Sequence, residues 1–253
     1  MRRAAALAAL ALALTAPGCG GGPDDEGRPA IVVSAASSLR DAFTSYADGF
    51  APATARMSFG GSDELAAQIR AGGRPDVYAA ANAALPKALF AEGRVERPMP
   101  FASNRLVLAV PAGSRKVRAL ADLANAGVAV AIGSRAVPVG SYTRQVLGKL
   151  SAVERNRILA NVKTAEPDVA GIVGKLTQGA VDAGFVYGTD VVACGGALRA
   201  IALPARLRPT VEYDAAVVKG TTHPAEARRF LVGLRDGDGR RALRRAGFGP
   251  PPR

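Results

Sequence analysis

Four short stretches of this chain share one arrangement: a strand or loop, small residues, then the start of a helix. They are Ala36-Ser37-Ser38, Gly60-Gly61-Ser62, Pro138-Val139-Gly140 and Pro167-Asp168-Val169. The first turn of a helix carries N–H groups with no intrahelical acceptor and the positive end of the backbone dipole, which suits an anion. Ser38 and Ser62 add hydroxyl donors, the glycines permit close backbone approach, and Tyr187 at the end of an apolar run adds a phenol. Converging, these neutral donors would hold a bare oxyanion. Singly, each has an ordinary role. Ser38 with Asp41 three residues on reads as a capping box, and Ser62 as a cap. Val139 and Val169 are first-turn residues, and Tyr187 is core. Their recurrence in one chain favours the joint reading.

The elements that would position these groups alternate between strand and helix. Apolar strands are expected at 30–35, 57–59, 77–81, 104–111, 128–132, 181–187, 197–203 and 212–219. Helices are expected at 39–50, 63–71, 82–92, 120–124, 140–150, 152–159, 169–178, 224–234 and 239–246, with a short one after Gly188-Thr189-Asp190. The order implies largely parallel sheets flanked by helices. A chain that crosses over near Asn104 and returns near Thr210 gives two lobes: 30–103 with 212–253, and 104–211. The tail Gly249-Pro250-Pro251-Pro252-Arg253 is expected to be disordered.

The 253 residues carry a formal charge of +12 and only 5% aromatics. Without basic and aromatic residues interleaved, nucleic acid is a poor partner. The charge then fits an anionic membrane, the steering of a small anion, or simply an arginine-rich composition. Met1-Arg2-Arg3 followed by an Ala/Leu run to Leu14 reads as a secretory signal peptide, residues 1–18, too short to span a bilayer. Residues 19–29 are a Gly-rich acidic tether. Losing Arg2 and Arg3 takes the charge from +12 to +10, so the mature chain stays basic. Cys19 resembles the acylated first residue of a bacterial lipoprotein, although Ala16-Pro17-Gly18 also suits an ordinary cleavage site. Cys194 is the only other cysteine, so stability does not rest on disulfides. His223, the only histidine, precedes Pro224 as a helix lead-in.

The chain resembles the periplasmic molybdate-binding proteins, the solute receptors of molybdate ABC importers, over roughly residues 30 to 249. The matching stretches are Ala35-Ala36-Ser37-Ser38-Leu39, Ser58-Phe59-Gly60-Gly61-Ser62, Gln68-Ile69-Arg70-Ala71-Gly72 with Pro75-Asp76-Val77, Val137-Pro138-Val139-Gly140-Ser141-Tyr142, Asp168-Val169, and residues 181–190 from Val181 to Asp190. The resemblance implies a type II periplasmic binding protein fold with the ligand in the interlobe cleft. It implies two serine ligands from the first lobe, Ser38 and Ser62. From the second come the amides of Val139 and Val169 and the phenol of Tyr187. It further implies molybdate, and tungstate with it, as ligand, with molybdenum held only as the oxyanion and no cofactor. The partner would be a membrane permease, and the protein a periplasmic or extracytoplasmic monomer, lipid-anchored through Cys19. Asp63 follows Ser62 where relatives often continue with serines, and is expected to face solvent.

A tetrahedral dianion without a proton only accepts hydrogen bonds, so an all-donor site matches it. Hydrogen phosphate would want an acceptor, whereas sulfate differs from molybdate only in size. A group-transfer enzyme on the same fold is the alternative from another class. It needs a base, nucleophile or metal in the cleft, and His223 and Cys194 lie far in sequence from the serine turns. An effector domain of a transcription regulator sits poorly with a signal peptide.

Overall fold

The computed structural model describes residues 28–252. The signal peptide, Cys19 and most of the tether lie outside them. Ten strands form two five-stranded sheets. The first sheet holds β1 (Ala30–Ala36), β2 (Thr54–Gly60), β3 (Val77–Ala80), β4 (Met99–Asn104) and β10 (Val211–Val217), in the order β2-β1-β3-β10-β4. The second holds β5 (Leu106–Pro111), β6 (Val130–Gly133), β7 (Val162–Glu166), β8 (Ala183–Tyr187) and β9 (Leu198–Ala202), in the order β7-β6-β8-β5-β9. Both sheets are mixed: β10 runs against its neighbours in one, and β5 against its neighbours in the other.

Among the described residues nine α-helices flank the sheets: α1 (Arg40–Ala47), α2 (Ser62–Arg70), α3 (Ala84–Ala91), α4 (Pro138–Gly148), α5 (Ala152–Ala160), α6 (Val169–Thr177), α7 (Gly188–Ala193), α8 (Pro224–Asp236) and α9 (Asp238–Arg245). None is long and apolar enough to cross a membrane among the described residues. This two-lobed arrangement agrees with the expected fold class, with more antiparallel pairing than a largely parallel reading implies.

Two strands escaped the sequence reading, β4 and β7. Both are edge strands. An edge is covered on fewer sides, so it tolerates Pro100 in β4 and the polar Val162-Lys163-Thr164-Ala165-Glu166 of β7. The tail is also less free than expected: Gly249 and Ser103 exchange two backbone hydrogen bonds, each 3.0 Å.

An aromatic series links core to cleft. Phe43 packs on Phe230 and Phe101, Phe101 on Tyr213, and Tyr213 on both Phe248 and Tyr187. Tyr213 belongs to the first sheet and Tyr187 to the second, with ring centroids 5.9 Å apart, so the apolar core is continuous where the two lobes meet.

Candidate functional site

β1 and β2 are parallel with Ala36 beside Gly60, so the turns that follow them emerge next to each other. The first is a short 3-10 turn, Ser37–Leu39, leading into α1. Ser38 sits inside that turn and caps nothing: Ala36 occupies the cap position, and the Ser38 hydroxyl lies 2.9 Å from the Tyr213 phenol. Ser62 is not a cap either. Gly61 holds the cap position and Ser62 is the first residue of α2. Its Oγ accepts the Ala81 N–H at 3.1 Å. With one lone pair filled from β3's end, the Ser62 proton cannot point that way and is available to an acceptor in the cleft.

In the second lobe, Gly133 at the end of β6 lies beside Glu166 at the end of β7, which again brings two turns together. Val137 caps α4 in extended conformation, Pro138 is its first residue and Val139 its second. A proline there gives up only an N–H that no carbonyl would have met. Gly140 is required by close packing, because a Cβ would lie 1.7 Å from the Ser134 carbonyl. Arg144 donates to the carbonyls of Gly133 and Gly140, both at 3.1 Å, and fastens the turn to the helix. Asp168 caps α6 by accepting the Gly171 N–H at 2.9 Å, and Val169 follows as the first helical residue. Val139 and Val169 therefore both present first-turn N–H groups, which have no intrahelical acceptor.

Tyr187 ends β8 and is 1% exposed. Its backbone N–H donates to Asp190 Oδ2 at 2.8 Å, while its hydroxyl, also buried, makes no hydrogen bond among the described residues. Burial above all holds its phenol well above the ordinary tyrosine value, so it remains a donor. Burial likewise raises the Asp190 carboxyl to about 7, against the opposing pull of the Tyr187 N–H.

Ser38, Ser62, Val139, Val169 and Tyr187 all line one cavity of about 20 Å³, together with Gly61, Pro138 and Asp168. No lysine, arginine or histidine is among its lining residues. Beside it the lobes nearly touch: a Cβ on Gly61 would lie 2.6 Å from the Pro167 carbonyl. The five residues singled out from the sequence, two from the first lobe and three from the second, thus line one space, with Asp168 beside them.

Other expectations fare differently. Asp63 is half-buried rather than solvent-facing, with Oδ1 buried and unpartnered among the described residues, yet it does not line the cavity. His223 precedes α8 as expected, with its ring 3.1 Å from the Thr222 hydroxyl and 3.4 Å from Asp76, away from the cavity. Cys194, free among the described residues, lines a larger cleft of about 560 Å³ that shares Ser37, Ser38 and Val169 with the first. Sequence reasoning missed Ala81, Asn104 and Tyr213. Tyr213 is 175 residues from Ser38, and no local pattern announces a contact over that distance.

The family model for bacterial extracellular solute-binding proteins matches residues 31–249. The molybdate-binding protein ModA of Mycobacterium tuberculosis (strain ATCC 25618 / H37Rv) is 33% identical over 232 residues, covering 89% of this chain and 87% of that protein. Among solved structures, the periplasmic molybdate-binding protein of Azotobacter vinelandii superposes with a TM-score of 0.77 at 22% identity, covering 88% of this chain and all of that one. The sulfate-binding protein SubI of Mycobacterium tuberculosis H37Rv superposes with a TM-score of 0.76 at 20% identity, covering 88% and 87%. At these structural identities the likeness concerns the fold alone. By the extent of the family match and of the sequence identity, this chain belongs to the bacterial extracellular solute-binding proteins.

Proposed function

We propose that the chain captures molybdate, and tungstate with it, outside the cytoplasm and delivers it to an ABC importer. The observation that carries this reading is the five-donor cavity, with the buried and unpartnered Tyr187 hydroxyl in its lining. A buried hydroxyl without a partner forfeits a hydrogen bond, and an oxyanion accepting from it recovers that loss. Molybdate is a dianion that only accepts, and the lining offers it donors. The identity to a molybdate-binding protein over most of both chains supports the same ligand.

The lobes, taken as 30–103 with 212–253 and 104–211, contribute donors from opposite sides. Anion contacts made by both at once favour the closed arrangement. The closed form would then dock on its permease as a monomer. No cofactor enters this scheme. We read the site as binding without catalysis, because the groups that would serve a nucleophilic mechanism lie elsewhere: His223 at the start of α8 and Cys194 in the larger cleft. Localisation by a lipid on Cys19 completes the proposal.

Calorimetric titration of the mature protein with molybdate, tungstate, sulfate and phosphate at equal ionic strength tests it. Tight and similar binding of molybdate and tungstate, with sulfate far weaker, is expected. Sulfate bound as tightly as molybdate would replace the ligand, and no binding of any of the four would overturn the reading.

A further inference from the structure

The Ser38 hydroxyl is half of a proton-direction problem that the surrounding groups solve. Arg105 donates its backbone N–H to Asn104 Oδ1 at 2.8 Å. An N–H can be met only by the amide oxygen, so the orientation of the Asn104 side chain is fixed and its NH₂ faces the other way. That NH₂ donates to Thr189 Oγ1 at 2.8 Å and lies 3.4 Å from the Tyr213 phenol oxygen. The Tyr213 proton therefore has no acceptor on the Asn104 side. Its other neighbour is Ser38 Oγ, 2.9 Å away. Tyr213 is fully buried, and burial holds its phenol well above the ordinary value, so the proton is always present. A buried O–H left without an acceptor is costly, hence Tyr213 donates to Ser38.

Ser62 shows the same logic with a different partner: a backbone N–H fills its lone pair from behind. Each first-lobe serine thus has one lone pair held from the protein side, which keeps its proton from pointing there and leaves it available to the cavity. The register of β10 on β4 shifts between Tyr213 and Asp214, an irregularity of the kind that re-aims side chains.

We propose that Tyr213 is a positioning residue for anion selectivity: by donating to Ser38 it holds that serine as a donor into the cavity and biases the site against oxyanions that carry a proton. The proposal rests on the anion-binding reading above. The Tyr213-to-Ser38-to-anion series also polarises each donor in turn, strengthening the last one. Once the phenol is removed, nothing holds a Ser38 lone pair on the protein side, and the hydroxyl is free to turn and accept from a protonated anion.

The test compares wild type, Tyr213→Phe, Ser38→Ala and the double variant by calorimetry with molybdate and with inorganic phosphate at pH 6, where phosphate is chiefly singly charged and protonated. Phenylalanine keeps the aromatic packing, and a thermal melt of each protein confirms the fold. Tyr213→Phe is expected to weaken molybdate binding roughly threefold to tenfold, the worth of one hydrogen bond, while phosphate binding does not weaken. The same substitution in the Ser38→Ala background is expected to change molybdate affinity no further. Equal weakening of both anions, an equal loss in the Ser38→Ala background, or no change at all would overturn the positioning role. Absence of molybdate binding by the wild type would instead overturn the reading on which it rests, and the positioning role with it.

Discussion

Closure of the cleft depends on one missing methyl group. Gly61 has φ −63° and ψ 133°, a conformation alanine adopts without strain. A Cβ there would nevertheless lie 2.6 Å from the Pro167 carbonyl of the other lobe and 3.0 Å from Asp63 Oδ1. Gly61→Ala therefore leaves the first lobe's backbone unstrained, asks the Asp63 carboxylate to give by a few tenths of an ångström, and acts chiefly on the approach of the second lobe. Unliganded stability is expected to hold or rise by up to about 1 kcal/mol, the usual gain from replacing a compatible glycine. Relieving the overlap needs Pro167 to retreat by roughly half an ångström or more, since a donor–acceptor pair stretched that far beyond about 3 Å is largely lost. Val169 lies two residues from Pro167 and would retreat with it. Losing the one bond from the Val169 amide to a charged ligand costs about 1.5–3 kcal/mol, which corresponds to a Kd roughly 10- to 150-fold weaker. Calorimetry gives the affinity and a thermal melt without anion gives the stability. An unchanged Kd would refute the closure reasoning, and a matching fall in unliganded stability would assign the effect to the fold.

The remaining expectations concern single groups. Tyr187→Phe removes a hydroxyl that has no partner within the described chain, so unliganded stability should hold while molybdate binding weakens roughly 10- to 150-fold; destabilisation without loss of affinity would contradict this. The Asp190 carboxyl is raised by burial to about 7, above an unfolded value of about 3.9. The folded state holds this proton the more tightly, so the stabilisation is complete below about pH 4 and lost as pH rises through about 7. A melting temperature followed across that window should fall further in wild type than in Asp190→Asn, with a residual fall from Asp214, whose carboxyl burial raises to about 6; parallel curves would show that Asp190 does not titrate there. A Cβ on Gly233 would lie 1.9 Å from the Tyr46 hydroxyl, which donates to the Phe230 carbonyl at 3.2 Å. Gly233→Ala should lose about 1–3 kcal/mol to overpacking, more than the helix-propensity gain of up to about 1 kcal/mol; a higher melting temperature would mean that the Tyr46 ring gives way.

That these five residues would come together was legible in the sequence, and they do line one cavity, but the contacts that hold some of them there were not legible. The helix-start pattern located Ser38, Ser62, Val139 and Val169 because strand ends and first turns have local signatures. It misassigned what the serines do. Read as caps, they should bond their own helix starts, whereas Ser38 meets Tyr213 and Ser62 meets Ala81. Those partners come from strands adjacent only in the folded sheet, β10 and the end of β3. The same limit hid β4 and β7, whose edge positions remove the apolar pattern that marks central strands such as Leu106–Pro111.

The claim that this cavity is where an oxyanion sits is tested most directly by crystallising the protein with molybdate and recording anomalous scattering at the molybdenum edge. A single strong peak is expected between the two lobes, within hydrogen-bond reach through its oxygens of Ser38, Ser62, the amides of Val139 and Val169, and Tyr187. A peak in the larger cleft beside Cys194, or none between the lobes, would contradict it.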